Sequence, residues 1–150
     1  MTSDDPKATI HYAGDDLFVA ITPSGHAQTI ETRHERSAAA TPMELLLLAL
    51  GSCTAVDVIS ILHKKRERVT GYRVEVRGAR RAEHPRKYTR FDVRHIINGR
   101  GVSEKAVAQA IELSETKYCS VAATLSPGAE IVSSFEIQED EGESDSRVAS

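Results

Sequence analysis

The chain has 150 residues, 40% hydrophobic and 27% charged, a balance that suits one soluble domain with a single core. Its formal charge of −3 gives no general attraction to nucleic acid, and its two cysteines are too few for a disulfide framework. Residues 1–6 lack the basic and apolar segments of a secretion signal, and Glu44, Ser52, Thr54 and Asp57 interrupt the longest apolar stretch, so the expected location is the cytoplasm, away from any membrane.

Residues 8–12 and 17–21 are β-rich runs separated by Gly14-Asp15-Asp16, which predicts a hairpin. A second turn at Pro23-Ser24-Gly25 leads to a third strand over 27–32, while 33–40 has no clear period. Thr41-Pro42-Met43-Glu44 reads as a capping box: Thr41 is the N-cap, Pro42 takes the first helical position, and Glu44 reaches back. The helix that follows is apolar nearly all round over 45–50, narrows to Val56, Ile59 and Leu62 on one side, and ends in Lys64-Lys65-Arg66. A helix of that kind must be enclosed, and a second copy of the chain is the expected cover.

Beyond Thr70-Gly71 strict alternation returns. Tyr72, Val74 and Val76 oppose Arg73, Glu75 and Arg77, and Phe91, Val93, His95 and Ile97 oppose Arg90, Asp92 and Arg94, which predicts two long antiparallel strands joined near Glu83-His84-Pro85. Asn98-Gly99-Arg100-Gly101 breaks the second of them, Ser103 caps another helix, and Ala106, Val107, Ala110, Ile111 and Leu113 give that helix one apolar face. A last alternating strand covers 129–137. From Gln138 onward the residues are acidic, Ser-rich and nearly without large apolar groups, so the expected organisation is one domain over 1–137 and a loose tail over 138–150.

The chemistry rests on two thiols. Cys53 stands inside the apolar run, and the only other sulfhydryl is Cys119. A thiolate attacks the O–O bond of a peroxide, and a second thiol then condenses with the resulting sulfenic acid and protects it from further oxidation. Two packed thiols are the plainer reading, because spacing alone does not bring these residues together. Cys53 lies three turns into its helix, beyond reach of the helix dipole, so activation calls for a cation from elsewhere. Asp57, at i+4, would raise the thiol pKa if it faced the sulfur, and it is expected to point to water or to a basic group. Glu44, nine residues earlier, falls on the opposite side of the helix, where capping accounts for it.

Lys64, Lys65, Arg66 and Arg68 complement the carbonyl end of the helix, and with Arg77, Arg80, Arg81, Arg86 and Arg90 they offer an anion-binding face. The net charge and the lack of interleaved aromatics favour a solvated face instead. His63 and His84 have no metal-ligand spacing with the cysteines, and no glycine-rich phosphate loop occurs, so no metal and no cofactor is expected.

Thr41-Pro42-Met43-Glu44, Ala49-Leu50-Gly51-Ser52-Cys53 and Glu115-Thr116-Lys117-Tyr118-Cys119-Ser120 resemble the two cysteine motifs of the OsmC/Ohr family, the osmotically induced and organic hydroperoxide resistance proteins. The likeness runs over about residues 8–137 in the order of the elements. It implies an α+β fold in which antiparallel sheets wrap long central helices in an intertwined homodimer, with active sites at the subunit interface. It also implies Cys53 as the peroxidatic cysteine, Cys119 as the resolving one and Glu44 as the second acidic position of the family's Pro-Glu-Glu or Pro-Glu-Gln motif. Met43 occupies the first position, where the hydroperoxide reductases carry a glutamate. Family peroxidases set a thiolate-activating arginine in the first strands; here no arginine precedes Arg33, which leaves Arg33 or Arg36 as the substitute.

The activity implied is reduction of organic hydroperoxides or hydrogen peroxide in oxidative stress defence, with electrons from a dithiol such as a lipoyl group. The contrasting reading is a non-catalytic dimer that binds a small apolar or anionic ligand between its helices, with both cysteines packed.

Overall fold

A computed structural model describes residues 1–32 and 35–141. They form two compact units, one over Met1–Leu46 and one that begins at Leu47, each built on a three-stranded sheet.

In the first unit β1 (Thr9–Gly14), β2 (Leu17–Ile21) and β3 (Ala27–Glu31) pair antiparallel in chain order, so the hairpin and the third strand occur where the β-rich runs and turn residues placed them. Gly14, Asp15 and Asp16 carry the β1–β2 turn with φ of 91°, 53° and 60°, the left-handed region that Gly and Asp tolerate best. After β3 the chain is held by Glu31, whose carboxylate is almost fully buried. That group accepts from the Ala38 and Ala39 N–H groups and from the Arg36 guanidinium. Burial alone would raise its pKa, but these bonds together outweigh that effect and hold it below the usual carboxylate range.

The central helix, α1 (Pro42–Lys64), starts as the capping box requires. Thr41 N–H donates to Glu44 Oε2 at 2.7 Å, and Glu44 N–H donates to Thr41 Oγ1 at 3.3 Å. It ends in a Schellman arrangement in which Arg66 takes φ 60°, with Arg66 N–H bonded to the His63 carbonyl and Glu67 N–H to that of Leu62.

Within the second unit β4 (Val69–Arg80) and β5 (Tyr88–Gly99) pair antiparallel, with Tyr72, Val74 and Val76 opposite Ile97, His95 and Val93. Phe91, Val93, His95 and Ile97 are all buried, as the alternation requires. Helix α2 (Glu104–Leu113) follows, with Ser103 Oγ accepting the Ala106 N–H at 3.2 Å. A single π-helical turn, Ser114–Tyr118, then leads to α3 (Ser120–Leu125) and β6 (Glu130–Glu139). This crossover returns the chain to the same end of the sheet, so β6 lies parallel to β5 and the sheet is mixed where an antiparallel one was expected.

The core joins Val58 and Leu62 of α1, Ile97 of β5, Val102, and Ala106, Val107, Ala110 and Ile111 of α2. Each large apolar side chain fully enclosed there contributes on the order of 1.5–3 kcal/mol of transfer free energy. Gly51 lets α1 lie close against β4, because a Cβ there would stand 3.0 Å from Val76 Cγ2.

Three further expectations need correction. The buried face of α1 is Leu50, Gly51, Thr54, Val58 and Leu62, whereas Val56, expected on that face, is 66% exposed and Leu48 is 63% exposed. Leu113, assigned to the apolar face of α2, is likewise exposed at the end of that helix. The boundary placed before Gln138 falls inside β6, since backbone pairing with β5 orders residues that have little apolar surface to bury. Gln138 accepts from Asn98, Glu139 accepts the Gly101 N–H, and Asp140 N–H donates to the Gly99 carbonyl. Residues 142–150, the rest of the expected tail, lie outside the described residues.

By length and composition α1 is apolar enough to cross a bilayer, a test that core helices also pass. Val58 and Leu62 spend that apolarity inside the core.

Candidate active site

Two helical segments of the second unit bring the chemistry together. Cys53 lies on α1 with Asp57 one turn later on the same side, the i to i+4 relation of a regular helix. Cys119 enters from the π-helical turn, in which its N–H donates to the Ser114 carbonyl at 2.8 Å, five residues back. Single π turns of this kind are frequent at functional positions. The two sulfurs and an Asp57 carboxylate oxygen lie within 4.8 Å of one another. Both cysteines are free thiols; Cys53 and Asp57 are half-buried, and Cys119 is buried.

Around this cluster the polar groups are matched. The Ser114 hydroxyl, fully enclosed, donates to Asp57 Oδ2 at 2.9 Å, and its oxygen stands 3.1 Å from the buried Thr54 hydroxyl. Cys119 is also the N-cap of α3, with its Sγ accepting the Ala122 N–H at 3.3 Å.

The Cys119 thiol is pushed up to about 11. Burial is the largest cause, followed by its hydrogen bond with Cys53, and negative charge at Cys53 and Asp57 adds to them; the Ala122 N–H pulls the other way without prevailing. Cys119 therefore holds its proton at neutral pH. That is the wrong state for a first attacker and a suitable one for a thiol that waits until its neighbour has been oxidised.

Sequence reasoning paired the two cysteines but aimed Asp57 at water or a base. In the fold it faces the sulfurs and Ser114 instead, and it takes part in no ion pair among the described residues. The i+4 spacing from Cys53 was the available signal. Nothing in the sequence marked Ser114 or Thr54, because the π-helical turn that brings Ser114 to α1 has no sequence signature.

The other expected site residues belong to the first unit. The Glu44 carboxylate closes the capping box. Arg36 is committed through all three guanidinium nitrogens: Nε to Glu31 at 2.5 Å, Nη1 to the Asp15 carboxylate, and Nη2 to the Asp15 carbonyl at 2.7 Å. Arg33 lies outside the described residues. On β5, exposed Arg90 pairs with Asp92 and Glu130 and exposed Arg94 with Glu136, while Arg80 of β4 donates to the Arg86 carbonyl.

Cys53, Asp57 and Cys119 are also the one group among the described residues whose donor atoms converge enough to share a metal ion, one ligand short of a closed tetrahedral set.

The family model described as OsmC-like protein matches residues 34–134. Protein YhfA of Escherichia coli (strain K12) is 40% identical over 131 residues, covering 87% of this chain and 97% of its own. A crystal structure of a hypothetical protein from Aquifex aeolicus VF5 is similar with a TM-score of 0.81 and 33% identity over 92% of this chain and 99% of that one. A crystal structure of an organic hydroperoxide resistance protein OsmC from Legionella pneumophila shares the fold at a TM-score of 0.65 and 11% identity, over 91% of this chain and 99% of that one.

Proposed function

Because the chain belongs to the OsmC family, we propose that it is a thiol-dependent peroxidase that reduces organic hydroperoxides or hydrogen peroxide. One observation carries the reading: two free thiols on different helical segments meet with their sulfurs no more than 4.8 Å apart. A disulfide needs an S–S distance of about 2.0 Å, so closure calls for a shift of a few ångströms and no rebuilding of the fold.

In the first step the Cys53 thiolate attacks the outer peroxide oxygen. The S–O bond forms as the O–O bond breaks, and the departing alkoxide or hydroxide takes up a proton. Cys53 is left as a sulfenic acid. Cys119 then attacks the Cys53 sulfur, hydroxide leaves as water, and the disulfide forms. A dithiol such as a lipoyl group returns both sulfurs to thiols and is itself oxidised to its cyclic disulfide.

The protein acts in the cytoplasm, the compartment in which free thiols persist, and it acts as a homodimer. Leu48 and Val56, large apolar residues exposed on α1, support the second point. A non-catalytic role, binding a small apolar or anionic ligand, is favoured by the carboxylate beside Cys53 and by the commitment of Arg36 to Asp15 and Glu31.

A coupled assay with cumene hydroperoxide and a dithiol reductant separates the two. Wild type is expected to turn over and Cys53→Ser to fall to background; equal background turnover in both proteins removes the peroxidase reading.

A further inference from the structure

A carboxylate beside a peroxidatic thiol works against the first step, since its charge disfavours the thiolate. In the second step the same charge is useful. The thiol that must attack then is Cys119, buried and still protonated, and its proton has to go somewhere as the disulfide closes.

Resting on the peroxidase reading, we propose that Asp57 is the proton acceptor of disulfide closure, taking the Cys119 proton as that sulfur attacks the Cys53 sulfenic acid and handing it to the departing hydroxide.

Three features carry this. The Asp57 oxygen lies within 4.8 Å of both sulfurs, near enough for the proton to cross over one water. The Ser114 hydroxyl donates to Oδ2, which fixes the carboxylate on the side of α1 where Cys119 arrives. No basic side chain pairs with Asp57 among the described residues, so it stays available as an acceptor. The step balances. The S–S bond forms as the S–O bond of the sulfenic acid breaks, Cys119 gives up H⁺ to Asp57, hydroxide leaves Cys53, and Asp57 returns the proton to make water. Asp57 ends as it began, the Cys119 sulfur supplies the electron pair of the S–S bond, and over both steps the two thiols give two electrons to the peroxide.

The test follows both phases in one stopped-flow experiment on the full chain with cumene hydroperoxide, trapping sulfenic acid with dimedone and counting it by mass spectrometry. Asp57→Asn keeps an oxygen for Ser114 and removes the base. Sulfenic acid formation should match wild type or exceed it, while closure slows by about a hundredfold, as for loss of a general base, and the dimedone adduct accumulates. Asp57→Ala should show the same slow closure and regain speed with added formate, a response that a purely structural role would not give. Closure in Asp57→Asn within twofold of wild type overturns the assignment, as does slow closure in Asp57→Ala that formate leaves unmoved. Should Asp57→Asn not fold, Asp57→Ala and formate decide alone. If wild type itself forms no sulfenic acid, the peroxidase reading has failed rather than the role of Asp57.

Discussion

Ser114 donates its hydroxyl proton to Asp57 across 2.9 Å, and that bond ties the end of α2 to the middle of α1. The same hydroxyl stands 3.1 Å from Thr54, so one enclosed serine satisfies two polar groups of α1. Ser114→Ala leaves the buried Thr54 hydroxyl and one carboxylate oxygen without this partner, which costs about 1–3 kcal/mol. The expected result is a lower urea midpoint with an unchanged slope. A midpoint equal to that of wild type would mean that the bond makes no net contribution.

The Cys119 thiol, pushed up to about 11 mainly by burial, should react with iodoacetamide at a rate that keeps rising through alkaline pH. Its thiolate fraction grows tenfold per pH unit until the pH reaches the pKa. Asp57→Asn should bring the plateau to lower pH, because one of the negative neighbours is gone. Peptide mapping of the alkylated sites follows Cys119 separately from Cys53. A plateau for Cys119 near the ordinary thiol value of about 8.5 would contradict the environment described here.

How much of this could be read beforehand depended on the range of the interaction. The capping box of Thr41 and Glu44 is local, and it lies where the motif placed it. So do the alternating strands, including His95 on the core face, because a period of two survives any tertiary context. The inward side of α1 was misread at Val56, since a helix apolar on nearly every side has no pattern to orient it. Parallel pairing of β6 depends on where the crossover returns, which no local signal encodes. Within the candidate site the two cysteines stood out by rarity and by family likeness. The aim of Asp57 and the place of Ser114 come from the contact between α1 and the π-helical turn, a long-range event.

Gly99 ends β5 against the Arg68 carbonyl. A Cβ there would lie 2.3 Å from that oxygen and 2.5 Å from Val102 Cγ2, and the oxygen already accepts the Arg100 N–H at 3.0 Å. Backbone cannot yield as a side-chain tip does, so Gly99→Ala should cost at least about 2 kcal/mol, toward the upper part of the range for overpacking. The measurement is the denaturation midpoint. Wild-type stability in Gly99→Ala would show that the turn at Asn98–Gly101 relaxes freely.

Val56 and Leu48, each more than 60% exposed on α1, should be covered in the proposed homodimer. Val56→Glu places a charge where desolvation would be costly, and light scattering after size exclusion should then report monomer where wild type runs as a dimer. A wild-type protein that elutes as a monomer at every concentration would remove the dimer and leave these residues as solvent-exposed apolar surface.

His95 is expected to make the fold sensitive to acid. It is wholly enclosed on the inner face of β5, its Nδ1 stands 2.7 Å from the Tyr72 hydroxyl, and Nε2 has no hydrogen-bond partner. Burial lowers its pKa to about 4, so the folded protein keeps the ring neutral where an unfolded chain would protonate it at about 6.5. Stability is complete above the unfolded value. As the pH falls below it, the unfolded state takes up a proton that the fold refuses, and stability declines by about 1.4 kcal/mol per pH unit until the folded ring also titrates. Between about pH 7 and about pH 5 the expected loss is about 2 kcal/mol. Carboxylates held low in the fold, such as Asp92 beside Arg90, add their own losses only in stronger acid. His95→Gln keeps a polar side chain that cannot be charged, and its urea midpoint should stay level across the interval in which that of wild type falls. A parallel decline in both proteins would assign the acid sensitivity to other groups.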